Sequence, residues 1–131
     1  MGMPAAKMGD HIVATDIHII LVITPGGIVP TPLPHPFNGI INSGCSTDVN
    51  IMSMGAAVMG SEAMNTPPHI PQGGMFQKPP SNKGKIIRGS ATVMINGKPA
   101  ARLGDTAMTC NDPADLPIGT VIAAGTVMIG G

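Results

Sequence analysis

Histidine and cysteine are the residue types in this chain best suited to chemistry, because both bind soft or borderline metal ions. The chain has four histidines and two cysteines among 131 residues. His18 and His69 each lie eight residues after a Gly-Asp or Gly-Ser turn sequence, and Cys110 lies five residues after a third such turn. His35 stands within a Pro-His-Pro-Phe segment. The recurrence of ligand types after equivalent turns indicates a metal site.

Three imidazoles and one thiolate would form a closed tetrahedral set if the segments that follow the turns converge. Structural zinc sites use such sets and leave no coordination position for water. The chain has no Cys-x-x-Cys or His-x-x-x-His motif, so the prediction depends on the repeats described below. The sequence predicts one structural zinc ion held by His18, His35, His69 and Cys110. Binding should weaken in acid, because the ligands must lose protons.

Two other residues compete for places in this site. His11 directly follows the first turn, at the position where the corresponding turn near the C-terminus has Thr106. We interpret His11 as a solvated turn residue. Cys45 is interpreted as a small buried residue in the slot that Ser90 occupies in the second repeat. Either residue could replace one of the four predicted ligands.

No catalytic pairing stands out in the sequence. Asp112 and Asp115 flank a proline in an Asn-Asp-Pro-Ala-Asp segment, which is typical of a turn. Cys110 could in principle form a nucleophilic pair with a histidine. A thiolate bound to zinc cannot act in that way, so we expect that the protein is not an enzyme.

The elements that must position these residues are copies of one unit. Residues 84–105 show period-2 alternation around an Asn96-Gly97 pair, the strongest short signal for a β-hairpin. Residues 49–61 align on 93–105 without gaps, and Ala56-Ala57 match the Ala-Ala pair of the second copy.

The two ends of the chain share a third unit between them. Residues 3–10 carry only its second half, and residues 121–131 carry only its first half. Together with the whole repeats at 39–61 and 84–105, they predict three units in a closed ring within a single domain, 1–131. Repeats of this kind bury their apolar faces only by packing on one another.

Composition limits the class of protein. The formal net charge is zero and 11% of residues are charged, which excludes an electrostatic case for binding nucleic acid or an anionic membrane. Eighteen glycines and fourteen prolines argue against long helices and predict dense turns. With two Phe and no Trp or Tyr, a small β core should need a staple such as a metal.

No signal peptide is visible at the N-terminus, and the longest apolar run, Ile19 to Ile23, is too short to span a membrane. We therefore expect a protein that starts in the cytoplasm, with free or metal-bound thiols and no disulfide. If it leaves the cell, it does so without an N-terminal signal.

Three segments, which we call excursions, connect the units, and the first comprises residues 14–24 and 25–37. Residues 14–24 are apolar and β-branched and predict a buried strand. Residues 25–37 contain five prolines and predict an ordered arm or loop without regular hydrogen bonding. Residues 62–84 and 106–119 are the other two excursions. Because each excursion follows an equivalent turn, all three should meet at one end of the molecule.

The segments MPAAKMGD, NGKPAARLGD and GSATVMING resemble the PAAR-repeat family. The Pro-Ala-Ala-Arg motif is intact at 99–102, has Lys7 in place of Arg in the first copy, and is degenerate at 55–58. The resemblance spans nearly the whole chain.

This resemblance implies an all-β fold: a small conical β-hairpin repeat with pseudo-threefold symmetry, long Pro/Gly-rich loops and a zinc ion near the apex. It also implies a place at the tip of the type VI secretion spike, on the blunt end of a trimeric β-helical VgrG-type protein. One copy per trimer would cap and sharpen the spike, contact the target membrane only on puncture, and be a monomer when free. Nothing follows residue 131, so an effector is expected to be a separate partner.

Three hypotheses follow, from different functional classes. The first is the structural tip, which predicts spike binding without turnover. The second is a small zinc enzyme with an open coordination position. The third is an adaptor whose Pro-rich arms recruit an effector, and it is compatible with the first.

Overall fold

The computed structural model describes residues 2–71 and 73–130, and over these residues the chain is all-β. No helix within them has the length and hydropathy needed to cross a membrane. The described strands are β1 Met3–Pro4, β2 His11–Thr24, β3 Gly27–Ser43, β4 Asn50–Ile51, β5 Met54–Gly55, β6 Glu62–Asn65, β7 Gly74–Phe76, β8 Lys83–Ile86, β9 Met94–Ile95, β10 Lys98–Pro99, β11 Thr106–Thr109, β12 Leu116–Ile122 and β13 Met128–Ile129.

The main sheet closes on itself as a six-stranded antiparallel barrel. Its strands follow the order β12-β11-β8-β6-β3-β2, and β2 pairs back with β12. β7 attaches to the outer part of β2. Closure pairs the edges of the sheet within the barrel itself, and the β2–β3 hairpin extends beyond it. Its interior is filled by small and branched side chains around Phe37, including Ile12, Ile41, Ile86 and Val121.

Three alanines form the symmetric centre of the fold. The amide of Ala6 donates to the carbonyl of Ala101, that of Ala101 donates to Ala57, and that of Ala57 donates to Ala6, all at 2.9–3.0 Å. Each alanine is fully buried, so a larger side chain would not fit. This cyclic hydrogen bonding shows the pseudo-threefold symmetry of the repeat.

The turn that follows each Ala-Ala pair explains the rest of the motif. Gly9, Gly60 and Gly104 all have φ between 91° and 100°, a left-handed conformation that favours glycine. The side chain after each glycine accepts a hydrogen bond from the backbone amide three residues earlier. Asp105 also binds the guanidinium of Arg102 at 2.9 Å, so the motif arginine is a turn-closing residue.

Three short hairpins lie around one end of the barrel. In one of them β9 pairs with β10, and Asn96 and Gly97 take positive φ as predicted. The β4–β5 hairpin turns through Met52 and Ser53. The third is split between the chain ends, where β1 pairs with β13. The predicted end of the closing half repeat at Gly131 lies outside the described residues, and the division of the domain stays a prediction.

The strand predicted at 14–24 is confirmed, but it is not buried throughout. β2 starts at His11, and its side chains alternate between the interior and the surface, with Ile20 buried and Ile23 70% exposed. One face of the strand packs on the molecule and the other meets solvent, so the apolar run indicated the strand but not its burial.

The prediction of an irregular arm at 25–37 was wrong. Residues 27–43 form β3, which pairs with β2 along its whole length. Four of the prolines fall at alternate positions, 30, 32, 34 and 36, so their missing amides all lie on the edge away from β2. Among the described residues, no strand pairs with this stretch of that edge. Proline is tolerated at such an edge.

The assignment of Cys45 to the Ser90 slot was also wrong. The amide of Ser90 donates to Ala100, and the equivalent bond, to Ala56, comes from Ser46. Each of these serine hydroxyls then accepts the amide three residues on. Cys45 lies one residue earlier, half-buried against the barrel core.

Candidate metal centre

The structure brings three histidines from three segments together. His18 lies on β2, His35 on β3, and His69 in the segment after β6. Their ring centroids are 4.9 Å apart for His18 and His69, and 5.4 Å apart for each of the other two pairs. Cys110 follows β11 and lies against the same cluster. All four predicted ligands are therefore neighbours.

Strand register places the first two histidines. In the β2–β3 ladder Asp16 lies opposite His35, and His18 lies opposite Leu33, so Asp16, His18 and His35 share one face. The ring of Phe76 on β7 packs within 6 Å of both histidine rings. The cluster is thus closed on one side by an aromatic side chain.

The segment around Cys110 is fixed by hydrogen bonds to the outer edge of β2. The amide of Ile17 donates to the Asn111 side chain, and that of Ile19 donates to the Asp112 carboxylate, both at 2.8 Å. The amide of Asp112 donates back to the carbonyl of Ile17. These contacts replace a neighbouring strand and hold Cys110 beside the histidines.

His18 is a buried histidine of the cluster whose ring nitrogens are unsatisfied. Its side chain is 1% exposed, and neither ring nitrogen has a hydrogen-bond partner. Burial lowers the pKa of His18 from its ordinary value, so the ring is neutral and able to bind a metal. A buried imidazole with two unpartnered nitrogens fits a metal site and is costly without one.

His35 is oriented as a metal ligand would be. Its Nδ1 lies 2.8 Å from the carbonyl oxygen of Leu33, to which it donates as Nδ1–H. This leaves the Nε2 lone pair free, and such a bond commonly fixes the tautomer of ligating histidines. The ring nitrogens of His35 lie outside the group of donor atoms within 4.8 Å of one another, which come from Asp16, His18, His69 and Cys110.

Cys110 is 3% exposed. Burial, helped by the neighbouring Asp16 carboxylate, raises the pKa of the thiol to about 12. Without a metal it therefore carries its proton and donates towards Asp16 at 3.4 Å. Only a strong Lewis acid would convert it to a thiolate at neutral pH.

Sequence reasoning missed two carboxylates at the site. Asp16 is fully buried among the donor atoms, and the Asp112 carboxylate lies 3.5 Å from Nδ1 of His18. The sequence contained a signal for Asp16, because Asp16 precedes His18 by two residues in a predicted strand. Residues at this spacing lie on the same face of a strand. Asp112 was assigned only to a turn.

The competing candidates lie elsewhere. His11 bonds the Asn38 side chain at 2.8 Å near the barrel wall, and Cys45 packs on the barrel core. Neither belongs to the donor group. The assignment of His18, His35, His69 and Cys110 as the ligands stays a prediction.

The cluster fits zinc by its chemistry. Imidazole, thiolate and carboxylate donors are those that Zn²⁺ prefers, and His18 has an unpartnered ring nitrogen available to bind such an ion. When bound, the ion would supply a crosslink between β2, β3 and the segments after β6 and β11. The buried cluster can hold a metal ion and is compatible with zinc.

Comparison with protein families identifies part of the chain. Residues 76–131 match the family model described as PAAR motif, and no curated protein matches the chain. The match covers the second whole repeat and the closing half, where the Pro-Ala-Ala-Arg sequence is intact. The PAAR motif family is structural and associates with the spike tip of type VI secretion systems. Residues 76–131 thus carry a PAAR motif, and the threefold alanine centre and the buried histidine cluster are consistent with a PAAR-repeat protein.

Proposed function

We propose that this protein caps the trimeric β-helical VgrG-type spike of a type VI secretion system, one copy per trimer. The observation that carries the proposal is the cyclic hydrogen bonding of Ala6, Ala57 and Ala101. A single chain with internal threefold repetition can present equivalent surfaces to three identical subunits at once, which an asymmetric domain cannot do.

The hairpin end of the barrel is the surface that suits this partner. Met94 and Met128 occupy equivalent positions in two of the hairpins and are 56% and 58% exposed. Met3 and Met54 are exposed at a second pair of equivalent positions. Exposed apolar side chains in a ring mark an interaction surface, and the end of a β-helix offers an apolar cross-section to match them.

In the cell the protein would remain cytoplasmic until it is loaded, and would then be carried out on the spike. It would be a monomer when free and would meet the target membrane only during puncture. A zinc ion would stiffen the end that leads. An enzymatic role is not favoured, because the donor group is buried and a hydrolytic zinc needs an open position for water.

The test is the mass of the complex formed with a VgrG-type trimer truncated to its tip, measured by native mass spectrometry. One copy per three spike chains is expected. The double variant Met94→Glu and Met128→Glu should abolish the complex, since it would bury two charges. Met75→Glu is the control, because Met75 is equally exposed but lies on β7 beside the metal cluster. Three copies per trimer, or no complex, would refute the proposal.

A second role, recruitment of a separate effector, is favoured by the end of the β2–β3 hairpin. Ile23 and Ile28 face each other there and are 70% and 61% exposed. This apolar end lies several residues beyond His18 and away from the proposed spike surface. Ile23→Asp with Ile28→Asp should prevent effector loading and leave spike binding unchanged, as measured by co-purification from secreting cells. Loss of both, or of neither, would refute the adaptor role.

A further inference from the structure

We propose that Asp16 is a constituent of the metal centre, whose carboxylate balances the charge of the bound divalent ion and positions two of the ligands. The inference rests on the zinc site proposed above and adds a residue to it. Asp16 is 0% exposed and belongs to the group of donor atoms that lie within 4.8 Å of one another.

The two oxygens of this carboxylate have different surroundings. Oδ1 accepts hydrogen bonds from the Thr109 hydroxyl at 2.5 Å and from the Asn111 amide at 3.4 Å. Oδ2 lies 2.8 Å from Nε2 of His69 and 3.4 Å from Sγ of Cys110. The fold therefore holds one oxygen and directs the other at two predicted ligands.

Neighbouring amides fix which hydrogen His69 presents to Asp16. The backbone amide of Asn38 donates to Oδ1 of Asn65 at 2.9 Å, so the NH₂ group of Asn65 faces Nδ1 of His69 at 3.2 Å. In this arrangement Nδ1 accepts from Asn65, and Nε2 donates its hydrogen to Asp16. Asp16 thus lies beside both Nε2 and Sγ, and a metal bound at Nε2 would require this hydrogen to be lost or to move to Nδ1.

Charge gives the second reason. Among the described residues no lysine or arginine pairs with Asp16, and a buried carboxylate is costly unless its charge is compensated. A divalent ion bound to the Cys110 thiolate leaves one positive charge uncompensated. The negative charge of the Asp16 carboxylate would bring the net charge of the ion, the thiolate and the carboxylate to zero. Asp112, the other carboxylate nearby, instead faces Nδ1 of His18 and the amide of Ile19.

The test compares zinc affinity in wild type and Asp16→Asn, measured by competition with a chromophoric chelator. Asparagine keeps the shape of the side chain and removes its charge. We expect affinity to fall 10- to 100-fold, the usual effect of removing a residue that supports metal ligands. The cobalt-substituted variant should keep the sulfur-to-metal charge-transfer band, because Cys110 still binds. Asp105→Asn is the control: Asp105 is also buried and closes a turn remote from the cluster, so its affinity should be unchanged.

Thr109→Val provides a second variant if Asp16→Asn does not fold. It removes the 2.5 Å hydrogen bond to Oδ1 but leaves the charge, and should weaken zinc binding by only a few-fold. Zinc affinity of Asp16→Asn within twofold of wild type would overturn the role of Asp16 and leave the zinc site standing. If Asp16→Asn does not fold, an unchanged affinity in Thr109→Val would overturn it. A wild-type protein that binds no zinc would overturn the zinc site itself. Spike binding is measured in a separate experiment, so that result would not refute the proposed function.

Discussion

At the residue scale, the side chains of the histidine cluster are poorly arranged for a protein without a metal. His18 is buried with both nitrogens unpartnered, and Cys110 is a buried thiol beside a buried carboxylate. Each arrangement costs free energy in isolation. An ion bound to Cys110 and to one ring nitrogen of His18 would remove part of this cost, and the fold would gain a crosslink where it has little apolar core.

Removing one ligand should therefore lower both metal content and stability. For His69→Ala and Cys110→Ala we expect loss of stoichiometric zinc. At zinc concentrations about 100 times the Kd, binding contributes about 2.7 kcal/mol, so the melting temperature should fall by about 10 °C. Zinc analysis and calorimetry would measure both effects. His11→Ala is the control, since His11 lies outside the cluster. Equal zinc occupancy in the two variants and wild type would contradict the assignment.

Zinc affinity should also depend on pH. The pKa of the Cys110 thiol is raised to about 12, so binding at neutral pH expels its proton and affinity should rise about tenfold per pH unit between pH 7 and 9. The pKa of His18 is lowered by burial, so its competing protonation begins only below its ordinary value of about 6.5. Titrations in buffers of different ionisation enthalpy would count the released proton. An affinity that is constant from pH 7 to 9 would argue against a thiolate ligand.

At the scale of elements, β3 is a strand because of where its prolines fall. Ile17 and Ile19, which lie opposite Pro34 and Pro32, direct their amides away from β3 to Asn111 and Asp112. The prolines therefore face the free edge of β3, where no amide is needed. An edge without donors is also a poor template for pairing with another chain.

Restoring those donors should cause self-association. Pro32→Thr with Pro34→Thr gives the edge two free amides and two residues that favour strands. By light scattering we expect concentration-dependent dimers or larger species from the double variant and a monomer from the wild type. Pro25→Thr, in the turn between β2 and β3, serves as the control and should remain monomeric. A double variant as monomeric as the wild type would show that the prolines do not protect the edge.

These elements show what the sequence could predict. The Asn96-Gly97 hairpin and the three glycine turns follow from local backbone chemistry, and the structure has them where they were expected. The strand β3 was not predicted, because the number of prolines argues against a strand. Their period-2 spacing, which places them on one edge, is compatible with a strand. Closure of the barrel depends on pairing between β2 and β12, which lie about a hundred residues apart and leave no local signal.

The candidate site divides in the same way. The convergence of His18, His35, His69 and Cys110 could be expected from the repeat, because equivalent turns send their segments to one end. The role of Asp16 could not be predicted from the sequence, because it depends on Thr109 and on the amide orientation of Asn65. Those contacts join segments that only the folded chain brings together.

At the scale of the whole molecule, three packed layers follow one another along the threefold axis. The hairpin end has its own small core around Ile51, Ile95 and Ile129, which occupy equivalent positions. The barrel core around Phe37 comes next, and the histidine cluster lies beyond it. The proposed spike surface and the proposed zinc site are therefore at opposite ends, so changes at one should leave the other intact.

The split hairpin makes a strong test of this symmetry. Met3 pairs with Ile129, so the first and last described strands meet where the other two units have a continuous turn. A permuted chain, with its original ends joined by a short glycine linker and new ends between Asn96 and Gly97, only moves the open hairpin to an equivalent position. We expect it to fold, to bind zinc and to melt within a few degrees of wild type. Opening the chain between Ala100 and Ala101 breaks the alanine centre instead, and should prevent folding. If the two permutants behaved alike, in calorimetry and in zinc content, the three hairpins would not be equivalent parts of one ring.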